Sequence, residues 1–179
     1  MENKMTVPYV HSSFDRIEDD NYQTVDKRCI YALENSWAIS ETICDVCSPS
    51  GSGILETLSE LGFRGSFGLS DAFAPVECNW IVSNPPYKRG LVDKIITAQL
   101  NRLGNVRGVA MLLRNNFAFA KSRWEMFAGN PYYTCEIKML FRPWWSEDRK
   151  AQPIHNYVWH IWTYNNELDH PIQIFWKEW

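Results

Sequence analysis

The sequence has no apolar run long enough to cross a membrane, and its polar start Met1-Glu2-Asn3-Lys4 does not have the character of a secretory signal. It also lacks excess positive charge. Eighteen Lys and Arg against 21 Asp and Glu leave a formal net charge of −3. Proteins that grip duplex DNA on their own draw most of their affinity from neutralising phosphates, so this balance argues against strong autonomous duplex binding. The five cysteines form no regular framework, which fits a reducing cytoplasm. Cys44 and Cys47 make a lone Cys-x-x-Cys pair and read as buried small residues. The four histidines lack metal-ligand spacing, and no metal is expected; His160, on an expected strand, reads as a packed or exposed bystander.

What remains is a chain of 179 residues that is 45% hydrophobic, enough for one domain with a sizeable core. Residues 1–20 are polar and carry Glu18-Asp19-Asp20, which suggests an arm; 21–179 read as a single domain without internal repeat, linker or separate DNA-recognition unit. Cys29, Ile30, Leu33 and Trp37 recur at helical spacing, as do Ile54, Leu55, Leu58 and Leu61 ahead of Gly62, and Leu91, Val92, Ile95, Ile96 and Leu100. Ile43 to Val46, Asn79 to Ser83 and Val109 to Leu113 are short apolar runs expected of buried parallel strands, with a weaker strand at Ser66 to Ser70. Trp124 to Phe127 reads as a short helix. Thr134 to Phe141 and Asn156 to Thr163 alternate as a hairpin across a long loop would, and Ile172 to Trp176 is one more strand. Helices alternating with strands, then a β-rich end, predict a three-layer, mainly parallel α/β sheet with an antiparallel C-terminal edge.

One stretch carries chemistry. Trp80-Ile81-Val82-Ser83 runs directly into Asn84-Pro85-Pro86-Tyr87. Two prolines prevent the strand from continuing and hold the backbone rigid between an amide and an aromatic ring. A planar, amino-bearing group suits that arrangement. The ring can stack on a base face, while the Asn84 side chain and the Pro85 carbonyl accept hydrogen bonds from an exocyclic amine. The plainer alternative is a Pro-Pro turn with Tyr87 merely packed.

Asn-Pro-Pro-Tyr resembles the catalytic motif of the S-adenosylmethionine-dependent amino-methyltransferases, which act on adenine N6 or on a glutamine amide. Gly108 to Phe117 and Tyr157 to Trp162 look like the segments that follow this motif in small phage and prophage adenine-methyltransferase-like proteins. Tyr22-Gln23-Thr24-Val25-Asp26 resembles that family's Tyr-Pro-Thr-Pro opening segment with both prolines replaced. The similarity runs from about Tyr22 to about Trp162. It implies a Rossmann-like class I methyltransferase fold, S-adenosylmethionine as cofactor, and adenine N6 in DNA as acceptor, reached single-stranded or through a partner protein, in the cytoplasm of a bacterial host. Asn84, Pro85, Pro86 and Tyr87 would then be catalytic. Thr24, Asp45, Cys47, Ser48, Gly51, Gly53 and Asp71 would bind the cofactor, with the glycines admitting its ribose and methionine part and Asp45 near its ammonium group.

Two departures from the family pattern matter. In Asp45-Val46-Cys47-Ser48-Pro49-Ser50-Gly51-Ser52-Gly53 the chain either inserts Pro49-Ser50 or replaces the first glycine by Pro49. Between Gly62, where the expected helix ends, and Asn84 the only acids are Asp71 and Glu77, and the segment is too short for two further strands and a helix. The fold is therefore expected to be truncated in the middle, and Asp71 cannot serve both ribose and adenine; its structural alternative is a turn or cap aspartate. Lys88 and Arg89, with Arg142, Arg149 and Lys150 around Trp144-Trp145, mark a local basic surface. The tryptophans stack on substrate bases, or belong to the core or a protein contact. Three functions stay open: adenine-N6 methyl transfer, glutamine-amide methyl transfer on a protein, or an inactive relative that binds a partner.

Overall fold

The computed structural model describes residues 23–48, 52–149 and 153–178. The chain runs through α1 (Arg28–Ser36), β1 (Ile43–Asp45), α2 (Gly53–Glu60), β2 (Phe67–Gly68), β3 (Trp80–Ser83), α3 (Leu91–Leu100) and β4 (Gly108–Arg114). Two short 3₁₀ helices, Phe117–Phe119 and Lys121–Met126, then lead to β5 (Tyr133–Met139), β6 (Tyr157–Thr163) and β7 (Ile172–Trp176). The sequence-expected helices and strands are all found, with ends shifted by a few residues; Trp124 sits in a 3₁₀ turn, a tighter winding suited to short connectors. Among the described residues no helix is long and apolar enough to cross a membrane.

The strands form one seven-stranded sheet in the order β2-β1-β3-β4-β6-β5-β7. β1 to β4 are mutually parallel. β6 runs antiparallel to both β4 and β5, and β7 pairs parallel with β5. The antiparallel pairing thus lies inside the C-terminal half, and the strand at the outer edge is parallel to its neighbour. This is the three-layer Rossmann-like arrangement anticipated from the alternation of helices and strands. α1 and α2 cover one face, burying Cys29, Ile30, Leu33, Ile54 and Leu58 against Ile43, Val82, Ala110 and Leu112. α3 covers the other, packing Val92, Ile95 and Ile96 on Ile81, Val109 and Met111. β4 contributes alternate residues to both cores, which is why its sequence is apolar without a break.

The middle of the fold is short, as its length required. After the two-residue β2 the chain makes only turns before β3. Gln99 and Arg102 at the end of α3 donate to the carbonyls of Ala72 and Ala74 and pin this stretch, with Gln99 Nε2 2.8 Å from Ala72 O. Cys44 is fully buried, Cys47 is half-buried, and neither is in a disulfide. His160 is packed within β6, its Nδ1 2.7 Å from the Tyr133 hydroxyl and its ring edge-on to Phe127. Burial, with Lys138 adding to it, pushes its pKa down to about 3.

Candidate functional site

The direction of strand order reverses at one point of the sheet. From β1 the chain passes through α2 on one face and enters β2 on one side; from β3 it passes through α3 on the opposite face and enters β4 on the other side. β1 and β3 are adjacent and parallel, so the loops leaving their carboxyl ends diverge to opposite faces. In open α/β sheets ligands bind at such a switch point. The loop after β1 starts from Asp45 and the loop after β3 is Asn84 onward, so the two loops singled out in the sequence flank one opening.

Asp45 holds these two loops together. Its Oδ1 accepts from Ser83 Oγ at 2.6 Å and from the Cys47 backbone N–H at 3.2 Å, and its Oδ2 accepts from Ser52 Oγ at 3.1 Å. Ser52 also caps α2, accepting from the Leu55 N–H at 3.2 Å. Burial raises the Asp45 carboxyl to about 6, and the three hydrogen bonds keep it from rising further. Its carboxylate is turned into the protein, so what it visibly does is tie β1, β3 and α2. Burial pushes the Cys47 thiol up to about 12. A thiol held protonated there is a packing group rather than a nucleophile.

The remaining cofactor candidates divide. Gly53 opens α2, and a Cβ on it would overlap the carbonyl of Thr24; that position needs glycine because the segment before α1 crosses it closely. Thr24 is buried, and its Oγ1 finds no partner among the described residues. Ser48, in the loop after β1, is buried. Gly51, with Pro49 and Ser50, lies outside the described residues. Asp71 is exposed, and its Oδ1 accepts from the Phe73 N–H at 2.9 Å, the turn geometry that was its structural alternative.

The acceptor motif is more tightly built. Asn84 is 6% exposed. The Tyr87 hydroxyl lies 2.8 Å from Asn84 Oδ1 and 2.7 Å from the Leu112 carbonyl oxygen. A phenol has one proton, so it donates to one of these acceptors at a time or is shared between them. Donated to Asn84 or shared with Leu112, that proton ties Asn84 through Tyr87 to the β4 backbone. The Tyr87 ring meets Tyr157 edge-on at 5.7 Å, and the Arg114 guanidinium sits 5.3 Å from its centroid. Burial drives the Tyr87 phenol well above its ordinary pKa, so it stays a neutral donor.

Tyr157 in turn meets Trp145 at 4.7 Å. The Trp144–Trp145 loop is latched by Asp26, which accepts from Arg28 Nη2 at 2.7 Å and from the Trp144 N–H at 3.1 Å. Burial opposes ionisation of Asp26, but these bonds win and hold its carboxyl below the usual range. Trp145 therefore belongs to the packing behind the acceptor motif, while half-buried Trp144 carries Arg149 at 6.0 Å from its ring. Reading the sequence alone missed Ser83, Ser52, Arg114 and Asp26 as organisers of the site. The available signal was a hydroxyl residue ending a buried strand and an arginine ending the next one.

No family profile and no curated protein sequence matches the chain. Among solved structures, a candidate RNA methyltransferase from Pyrococcus horikoshii is similar at 13% identity and a TM-score of 0.44, over 69% of this chain and 63% of that one. The hMettl16 catalytic domain in complex with a 3′UTR hairpin is similar at 12% identity and a TM-score of 0.40, over 86% of this chain and 66% of that one. The chain spans less than two thirds of the length of either.

Proposed function

We propose that the chain transfers a methyl group from S-adenosylmethionine to an exocyclic amine, with adenine N6 in DNA as the acceptor. The observation that carries this reading is the pairing of two loops across the β1/β3 switch point. Asn84 is buried and fastened by Tyr87, one residue beyond Ser83, which is bonded to Asp45 at 2.6 Å.

The residues present fit the methionine end of the cofactor. Backbone N–H groups at the Ser52-capped start of α2 and the orphaned Thr24 hydroxyl are polar groups that a carboxylate or ammonium can engage. On the adenosine side Asp71, exposed in the turns after β2, would be the acid for a ribose hydroxyl. When bound, S-adenosylmethionine supplies an electrophilic methyl group on a sulfonium.

The chain's own residues then act on the acceptor. An exocyclic amine is a weak nucleophile because its lone pair is delocalised into the ring. Accepting its two N–H hydrogens at Asn84 Oδ1 and the Pro85 carbonyl favours a tetrahedral nitrogen and aims the lone pair out of the ring plane. Tyr87 fixes the amide that does this, and its neutral phenol adds no competing charge. The rigid Pro85-Pro86 turn means little reorganisation is needed at the moment of transfer.

Transfer of labelled methyl from S-adenosylmethionine to adenine-containing DNA, compared with a glutamine-containing protein acceptor, tests the reading. Label in DNA that is lost in Asn84→Ala, with cofactor affinity kept, supports it. Label in protein alone redirects the acceptor to the amide. Loss of cofactor affinity as well as transfer in Asn84→Ala would make Asn84 a structural residue and remove its catalytic role.

A further inference from the structure

Beside the acceptor motif, at the carboxyl end of β5 and the start of β6, lies a cavity of about 550 Å³, within the roughly 300–1,000 Å³ range of small-molecule sites. Tyr157 forms part of its wall and meets Tyr87 edge-on, so one buried ring separates the cavity from the acceptor loop. Two of its aromatic side chains are largely uncovered. Phe119, at the end of a 3₁₀ turn, is 81% exposed, and Phe175, on the edge strand β7, is 62% exposed, though each borders the same cavity. Scattered exposed phenylalanines need no explanation, but two bordering one cavity beside a candidate site do.

Between them stand Lys138 and Arg142. Lys138 Nζ is 3.0 Å from Gln173 Oε1, 3.5 Å from Glu136 Oε2 and 5.4 Å from the Phe175 ring centre. Arg142 Nε donates to Asn156 Oδ1 at 3.1 Å. The lining thus offers aromatic faces, two cations, one carboxylate and several side-chain amides. That is too little positive charge to hold both strands of a duplex, whose grip depends on many phosphate contacts. It is the composition of a stacking platform for one strand, where base–aromatic contact supplies most of the affinity.

Resting on the amine-acceptor reading above, we infer that this cavity and the exposed edge strand β7 beside it bind the single-stranded DNA flanking the acceptor adenine. Neighbouring bases stack on Phe119 and Phe175, and Lys138 and Arg142 meet the phosphates between them.

Fluorescence anisotropy of the full chain with a labelled single strand of roughly 8–12 nucleotides tests this. Phe119→Ala/Phe175→Ala is expected to lose at least tenfold in affinity, with S-adenosylmethionine titration heats unchanged; both side chains are exposed, so folding is not at stake. Two phosphate contacts give a log–log salt slope of about −1.4, and Lys138→Gln/Arg142→Gln is expected to flatten it. Unchanged DNA affinity in the aromatic pair overturns the groove whatever the cofactor does. Failure of the intact chain to bind S-adenosylmethionine, with the aromatic pair still lowering DNA affinity, leaves the groove standing and removes the methyl-transfer reading. Tenfold tighter binding of RNA or of duplex DNA of the same sequence overturns the choice of single-stranded DNA.

Discussion

Ser83 Oγ donates to Asp45 Oδ1 at 2.6 Å, joining the last residues of two adjacent parallel strands at the mouth of the crevice. This bond makes the geometry of the β1 loop depend on that of the acceptor loop. It also concentrates the pH response of the site in a buried carboxylate.

Asp45 has a folded-state pKa near 6, above its ordinary 3.8, so between these values the folded protein holds more protons than the unfolded chain. Its contribution to stability is full below 3.8 and is lost as pH rises through 6, on the order of 3 kcal/mol. Asp45→Asn is expected to abolish that share of the slope. Urea unfolding at several pH values between 4 and 7 checks it; identical slopes for the variant and the parent contradict it.

His160 works in the opposite direction. Its pKa falls from 6.5 to about 3 on folding, so its contribution is complete above 6.5 and is lost as pH falls toward 3. His160→Gln is expected to make the protein less sensitive to acid below pH 6.5, whatever its absolute stability, in the same unfolding series. Acid sensitivity equal to that of the parent would mean that His160 titrates normally.

Tyr87→Phe removes the hydroxyl that fastens Asn84 to Leu112 while keeping the ring. A stability loss of about 1 kcal/mol is expected, because the one hydrogen bond the phenol donates between these two acceptors is lost. Methyl transfer should fall by roughly 10–100-fold with cofactor affinity unchanged, as loosening a positioned group by about 1 Å does. Equal transfer rates for the variant and the parent would show that Asn84 does not need the strut.

Gly53→Ala is expected to destabilise by about 1–3 kcal/mol, because the added methyl overlaps the Thr24 carbonyl, a backbone atom that cannot move alone. Gly62→Ala meets no neighbour, and its cost, about 1 kcal/mol, comes only from the positive φ of 91°. Thermal or urea unfolding ranks the pair; equal losses would show that the close crossing at Gly53 is relaxed.

The apolar runs of β3 and β4, the 3.6-residue spacing of α3 and the two prolines after Ser83 are local features, and local features are legible in a sequence. The short middle was legible too, since too few residues separate Gly53 from Asn84 for more elements. Strand order was less so. That β6 inserts between β4 and β5 depends on pairings far apart in the chain. The Asp45–Ser83 bond spans 38 residues, and nothing near either residue announces it. Nothing in the sequence sets Phe119 and Phe175 apart from other phenylalanines; the folded chain leaves both uncovered around one cavity.

The central claim is that a methyl donor binds in the crevice between β1 and β3 beside Asn84. Calorimetric titration of the full chain with S-adenosylmethionine and with its demethylated product tests it most directly. Saturable binding of both, one site per chain, weakened by Thr24→Val and retained in Asn84→Ala, is the expected result. No binding heat with ligand on the order of 1 mM would contradict it.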